Sequence, residues 1–310
     1  MPPAPIPLPP PLRPGDRVRL VAASSALEES GRLAAGLAVL AAWGLALEEP
    51  PVALHQRRWG YLAGRDPERA ADLQIRPAAD PAAATPPALW ACVRGGWGSA
   101  RLLEAPLAQP PGWLLGFSDV TSLLFERVRC GLGGGIHGPM LTTLAAEPEW
   151  SRERLRALLF GEALDDLQGV GWRAGVAEGS LLVANLTVAT HLLGTPHLPD
   201  LRGAILILED VGEAPYRIER MLTHWRLSGA LQQLAGIGFG SFLGCDEADG
   251  RAAEPAEHRF SVAQVLQERT QDLGVPVVAG LPVGHAPGNA ALPLGRPARL
   301  DGDRGRLSLL

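Results

Sequence analysis

The chain has 310 residues, 46% hydrophobic and 20% charged, long enough for two medium domains with real cores. A net charge of −5 and a pI near 5.8 leave no basic footprint, which excludes nucleic acid and anionic membrane surfaces as partners. Cys92, Cys130 and Cys245 are odd in number and far apart, so neither a disulfide framework nor a zinc site is suggested, and a reducing cytoplasm is expected.

Met1 to Pro14 is proline-rich and lacks the basic start and apolar core of a signal peptide, so it reads as an extended lead-in. No run approaches the ~20 apolar residues of a membrane helix, and a soluble protein is expected. Val18 to Ala23 reads as a strand, followed by a helix carrying Leu33, Leu37 and Leu40 and ending near Gly44. Asp66-Pro67 predicts an N-cap followed by proline at the first helical position, opening a helix to about Ile75. The strand Ala88 to Val93 runs into Arg94-Gly95-Gly96-Trp97-Gly98, and a short helix with Leu102 and Leu103 leads to the strand Trp113 to Phe117. Asp119 is placed to cap a helix from Val120 to Arg129. This alternation predicts a parallel sheet covered on both faces.

From Phe160 to Glu178 the rhythm breaks at four glycines, and a domain boundary is placed there, with residues 1–165 forming one domain and 166–310 the other. Beyond it lie the apolar stretch Leu181 to Val183, strands Ala204 to Leu208, Ile237 to Phe242 and Val275 to Val278, and helices from Pro215 past Trp225 and from Val262 to Leu273. The tail from Ala298 to Leu309 predicts a hairpin around Asp301-Gly302-Asp303.

Three polar signatures each follow a buried-type apolar run: Gly116-Phe117-Ser118-Asp119, Leu208-Glu209-Asp210 and Gly284-His285. They supply a nucleophile, an acid and a base. A serine hydroxyl becomes a good nucleophile when a histidine takes its proton, and a carboxylate fixes that histidine's tautomer. Ser118, passing from strand directly to helix, is similar to a nucleophile elbow, although Val120 departs from G-x-S-x-G; an ordinary helix cap is the plain alternative. Gly95 and Gly96, with the Asp119 amide, are candidate oxyanion donors; a phosphate-cradling turn or a tight connection fits the glycines equally. Asp210 competes with Glu209, Arg217 or Arg220 could make either a structural ion pair, and His137 in Gly135-Ile136-His137 rivals His285. All 28 basic residues are arginine, so P-loop, pyridoxal and Ser-Lys chemistry are excluded.

Taken in order, these motifs resemble the LD-carboxypeptidases of the serine peptidase type, which include muramoyltetrapeptide carboxypeptidases and microcin C immunity peptidases. The resemblance also rests on Pro14-Gly15-Asp16, Gly60-Tyr61-Leu62-Ala63-Gly64, His137-Gly138-Pro139, Asn185-Leu186, Gly194-Thr195-Pro196 and Pro215-Tyr216-Arg217. It implies an α/β protein with a flavodoxin-like N-terminal domain and a smaller α/β C-terminal domain. It further implies a Ser118-Glu209-His285 triad and an oxyanion hole from Asp119 with Gly95 or Gly96. It implies no cofactor or metal, a small muropeptide substrate that loses its terminal D-alanine, and a cytoplasmic homodimer working in cell-wall recycling. Arg94 and Asn185 are candidates for substrate binding, Arg94 for the free terminal carboxylate. Val183-Ala184 stands where the family usually has Gly-Gly, Trp97 where it has tyrosine, and Leu124 where histidine is frequent. An immunity-type peptidase cleaving peptidyl-nucleotide conjugates shares the triad motifs and is the nearest alternative; a non-catalytic peptide-binding protein and a phosphate-binding module are the others.

Overall fold

The computed structural model describes residues 6–28, 30–49, 53–75, 86–246, 248, 255 and 258–310; Met1 to Pro5 of the lead-in lie outside them. Two compact units emerge, one of Ile6–Leu164 with Ala290–Pro293, the other of Asp165–Asn289 with Leu294–Leu310. A single crossing near residue 165 has no place for the excursion of 290–293, which carries a strand of one sheet out of the sequence of the other.

The first unit contains β1 (Arg17–Val21), α1 (Ser30–Ala42), β2 (Ala46–Leu47), α2 (Asp66–Ala71), β3 (Leu89–Cys92), β4 (Trp113–Gly116), α3 (Thr121–Arg129), β5 (Gly135–His137), α4 (Leu141–Leu144) and α5 (Glu149–Phe160). Its five strands are parallel in the order β2-β1-β3-β4-β5, the flavodoxin-like arrangement. Leu292–Pro293 adds an antiparallel edge on β5, where a proline that cannot donate is tolerated. Such a sheet is covered on both faces, which is why β3 and β4 read as unbroken apolar runs and are buried throughout. Val18, Leu20, Leu89, Ala91, Trp113 and Leu115 share one core with Leu33 and Leu40 of α1 and Leu155 and Leu159 of α5. Each fully buried leucine or valine contributes about 1.5–3 kcal/mol.

Two polar devices position this unit's loops. Arg127, buried in α3, donates to the carbonyls of Gly133 (2.8 Å), Pro110 (2.5 Å) and Gly112 (2.6 Å), tying the helix to the approaches of β4 and β5. Burial brings its pKa down to about 10, still protonated at neutral pH. The helix expected from Asp66 to about Ile75 is shorter and starts differently. Arg65 occupies the N-cap, its N–H donating to Glu68 at 2.6 Å, while the Asp66 carboxylate is taken by Arg69 and Arg101. It stops at Ala71 because the buried Asp72 is committed to the Ala22 N–H at 3.0 Å and to Arg57 at 2.9 Å. The proline-rich lead-in packs on the same unit through Leu12 N to Leu159 O at 2.8 Å and Trp113 Nε1 to Pro10 O at 3.0 Å.

The second unit runs β6 (Leu167–Gln168), β7 (Val170–Arg173), β8 (Val176–Asn185), α6 (Leu186–Leu192), β9 (Ile205–Val211), α7 (Pro215–Leu227), β10 (Gly236–Leu243), α8 (Val262–Thr270) and β11 (Val277–Ala279). After the excursion strand β12 (Leu292–Pro293) it closes with β13 (Pro297–Asp301) and β14 (Arg306–Leu309), the expected terminal hairpin. The sheet order is β6-β14-β13-β8-β9-β10-β11-β7, with β8 to β11 parallel at its centre. Its outermost strands, β6 and β7, are consecutive in the chain and separated only by Gly169, whose N–H donates to Gly305 O at 2.7 Å. The sheet therefore curls until its two edges meet, leaving no long unpaired edge. Among the described residues no helix is long and apolar enough to cross a membrane.

Candidate active site

In the first unit, β4 ends at Gly116 and Phe117 leads into a tight 3₁₀ turn, Ser118–Val120, continuous with α3. Ser118 has φ +60°, and it is the one non-glycine residue with positive φ among the described residues. That conformation costs on the order of 1–3 kcal/mol and persists only where the surroundings enforce it, as at a reacting serine lifted clear of its sheet. Gly95 stands against it: a Cβ on Gly95 would lie 3.2 Å from Ser118 Oγ and 3.1 Å from its Cβ. The Gly95–Gly96 turn at the end of β3 and the Ser118 turn at the end of β4 are thus neighbours, as an oxyanion hole requires.

Asp119 does not cap α3. Its carboxylate accepts the Ser99 N–H at 2.9 Å, and Val120 occupies the cap position. One nitrogen of the half-buried Arg94 guanidinium is spent on the Ala26 carbonyl at 2.9 Å. His137 lies fully buried in β5, its ring packed edgewise on Phe117 with centroids 5.6 Å apart.

In the second unit, Glu209 sits near the end of β9, entirely buried between β8 and β10. A carboxylate there needs a partner. It has one in His285, with Nδ1 at 2.6 Å from Glu209 Oε2. The loop carrying His285 is pinned on both sides, the Gly284 N–H donating to Asn289 Oδ1 at 2.9 Å and the Ala286 N–H to Ser241 Oγ at 3.3 Å. A proton held on Nδ1 by the carboxylate makes Nε2 the basic nitrogen.

Asp210 is committed elsewhere. It accepts from Asn185 Nδ2 at 3.0 Å, from the Thr187 N–H at 2.9 Å and hydroxyl at 2.8 Å, and from the Val211 N–H at 2.8 Å. Asn185 spends its oxygen on the Val188 N–H at 3.1 Å as the N-cap of α6, and its amide nitrogen serves the neighbouring carboxylates of Asp210 and Glu209. Arg217 reaches Glu213 at 3.4 Å and stacks with Arg220 on Tyr216. Asp210, Thr187, Ser241 and Asn289 form a supporting shell that the sequence does not announce, since each is a single polar residue in an apolar or loop context.

Burial pushes the Glu209 carboxyl up; the bonds to His285 and Asn185 pull it back only in part, and it stays above the ordinary carboxylate value. For His285, burial disfavours the imidazolium, yet the hydrogen bond and charge of Glu209, with the charge of Asp210, outweigh it and set the pKa above its ordinary 6.5. A histidine acting as base must be neutral, so a raised pKa moves the onset of activity to higher pH. The acid limb of kcat/KM is expected to have its midpoint above 6.5, and Glu209→Gln, which removes the charge, is expected to move it down. A limb that does not shift in Glu209→Gln would show that another group sets it.

The LD-carboxypeptidase N-terminal domain matches residues 18–138, and the LD-carboxypeptidase C-terminal domain matches residues 178–300. The chain belongs to the LD-carboxypeptidase family. It is a hydrolase of the serine carboxypeptidase type, with Ser118 inside the first matched span and Glu209 and His285 inside the second. A Synechocystis sp. protein bearing a provisional carboxypeptidase name is 46% identical over 303 residues, 97% of this chain and 96% of that one. The murein tetrapeptide carboxypeptidase of Pseudomonas aeruginosa is 36% identical over 270 residues, 80% of this chain and 82% of its own. Among solved structures, muramoyltetrapeptide carboxypeptidase from Oxalobacter formigenes superposes with a TM-score of 0.78 at 25% identity, covering 94% of this chain and 97% of that one. The microcin C7 self-immunity protein MccF shares the fold, with a TM-score of 0.79 at 21% identity over 97% of this chain and 98% of its own.

Proposed function

We infer that this LD-carboxypeptidase releases the terminal D-alanine of muropeptide tetrapeptides by hydrolysing an L,D-peptide bond through an acyl-enzyme. The observation that carries the reading is the 2.6 Å bond between buried Glu209 and His285, an oriented base on the motif positions that the family resemblance pairs with Ser118. In the reaction His285 Nε2 takes the Ser118 proton as Oγ bonds to the penultimate carbonyl carbon. The oxyanion is held by the Asp119 amide and by Gly95 or Gly96. Collapse breaks the C–N bond, and the imidazolium returns the proton to the departing D-alanine amine. Water, deprotonated by the same histidine, then cleaves the ester. Glu209 steadies the imidazolium in both halves.

The relatives named for murein peptides support the substrate class, and the family resemblance leads further to a cytoplasmic homodimer working in cell-wall recycling. The test is D-alanine release from a purified muropeptide tetrapeptide in the presence of chelator, beside a peptidyl-nucleotide conjugate. Turnover of the conjugate alone would overturn the murein reading.

Tyr61 and Trp97 stand 59% and 57% exposed with ring centroids 5.6 Å apart, Trp97 two residues beyond Gly95. D-alanine is too small to use such a surface, so it serves the acyl side of the substrate. Trp97→Ala is expected to raise KM for the muropeptide about tenfold with little change in kcat. A fall in kcat at constant KM would instead assign the indole to the geometry of the turn.

A further inference from the structure

Asp119 and Ser99 form a buried polar pair that the proposed mechanism does not use. Ser99 follows the glycine turn after β3, and Asp119 follows the serine of the turn after β4. The Ser99 N–H donates to Asp119 Oδ2 at 2.9 Å, and the Ser99 hydroxyl donates to the Asp119 carbonyl at 2.6 Å. Ser122 Oγ lies 2.6 Å from Ser99 Oγ, so its proton completes the Ser99 oxygen. Ser99 and Ser122 are fully buried and Asp119 nearly so. A carboxylate is costly in such a place, and a helix cap at the protein surface would have been a cheaper use for it.

Its position explains the cost. The Asp119 residue is held at both its carboxylate and its carbonyl, and its N–H is one of the two proposed oxyanion donors. On the other side, the segment Gly95–Ser99 is fixed at successive points. Gly95 O accepts the Ser25 N–H at 3.3 Å, Trp97 N–H donates to Ser25 Oγ at 3.3 Å, and Gly98 O accepts from buried Arg69 at 2.8 Å. The pair between Ser99 and Asp119 is a direct hydrogen-bonded bridge between the two segments. Oxyanion donors act only when held close to 2.7–3.1 Å from the developing charge, and looseness of about 0.5 Å forfeits much of that.

We propose that the Asp119 carboxylate and Ser99 form a latch that sets the spacing of the two oxyanion-hole amides, making both positioning residues for the acyl-transfer step. The inference rests on the serine-peptidase reading above. It separates two roles for one residue: the Asp119 N–H touches the oxyanion, and the Asp119 side chain fixes where that N–H stands relative to the glycine turn.

The experiment compares wild type, Asp119→Ala, Asp119→Asn and Ser99→Ala for D-alanine release from the tetrapeptide, with Ser118→Ala as the blank. Asp119→Ala removes the acceptor of the Ser99 N–H and keeps its own backbone amide; kcat is expected to fall about 100-fold with KM within about twofold. Asp119→Asn retains an oxygen that can accept the same N–H and is expected to recover to within a few-fold of wild type. A residue needed only for folding would show neither a kcat-specific loss nor this rescue. Ser99→Ala keeps the backbone bond and removes the hydroxyl, with an expected loss of about tenfold in kcat, and it decides the question if Asp119→Ala does not fold. Unchanged kcat in folded Asp119→Ala, an effect confined to KM, or an Asp119→Asn no better than Asp119→Ala overturns the latch and leaves the triad standing. Unchanged kcat in Ser99→Ala, should Asp119→Ala not fold, does the same. A wild type that releases no D-alanine, or a Ser118→Ala as active as wild type, removes the serine-peptidase reading and the latch with it.

Discussion

Ser118→Ala is expected to lower kcat for D-alanine release by about 10⁶-fold while the protein folds as before, the loss seen when a serine hydrolase is deprived of its nucleophile. The reasons are local. Alanine retains the Cβ and therefore the same backbone at φ +60°, so the turn between β4 and α3 is neither relieved nor further strained. Only the hydroxyl goes. His285→Ala is expected to cost as much, because an unassisted hydroxyl at neutral pH is almost entirely protonated. Glu209→Gln preserves shape and an oxygen facing Nδ1 but withdraws the charge that steadies the imidazolium, and about 10⁴-fold is expected. In the proposed triad the three act as a unit, so Ser118→Ala/His285→Ala is expected to be no slower than either single variant. The measurement is D-alanine production under chelator, with circular dichroism to confirm folding. A Ser118→Ala enzyme within tenfold of wild type would remove the covalent mechanism.

The two sheets and the Glu209–His285 pair are legible in the sequence because each polar signature follows an apolar run. Trp113-Leu114-Leu115 and Ile205-Leu206-Ile207-Leu208 are buried through and through in the two sheets; Ser118 follows the end of β4, whereas β9 runs past the expected stop at Leu208 and carries Glu209 and Asp210 inside the strand to Val211. A carboxylate at the end of so apolar a run needs a partner, and Glu209 is buried with the His285 imidazole beside it. What local sequence did not reveal is settled by distant partners. Asp119 has the composition of a helix cap, but Ser99, twenty positions earlier, claims its carboxylate. Asn185, a candidate for substrate binding, donates to Asp210, twenty-five positions later. Leu292–Pro293 pairs with Ile136 and His137 across more than 150 residues of sequence, a register no nearby residue encodes. Strands β6 and β7, two and four residues long, are too short for periodicity to reveal and exist because the curled sheet needs its edges closed.

Gly284→Ala is expected to inactivate the enzyme nearly as fully as loss of the acid, by about 10³–10⁴-fold, although residue 284 itself has no chemistry to offer. Gly284 has φ +116°, a region that essentially only glycine occupies, and enforcing it on alanine costs on the order of 1–3 kcal/mol. The steric term is more specific. A Cβ at this position would stand 2.7 Å from Glu209 Oε2, 2.8 Å from Glu209 Cβ and 2.6 Å from Ser241 Oγ. Oε2 is the oxygen bonded to His285 Nδ1, and Ser241 Oγ accepts the Ala286 N–H, so the added methyl displaces both supports of the histidine at once. Gly280→Ala separates strain from clash: its φ of +67° is also positive, but nothing lies within 4 Å of the added methyl. Both variants should melt lower than wild type, by roughly 2–4 °C per kcal/mol for a domain of this size. Only Gly284→Ala should lose the raised acid limb of kcat/KM along with its rate. Equal activity in the two variants would mean that the backbone at 284 does not hold the Glu209–His285 bond in place, and that the histidine is oriented by its loop alone.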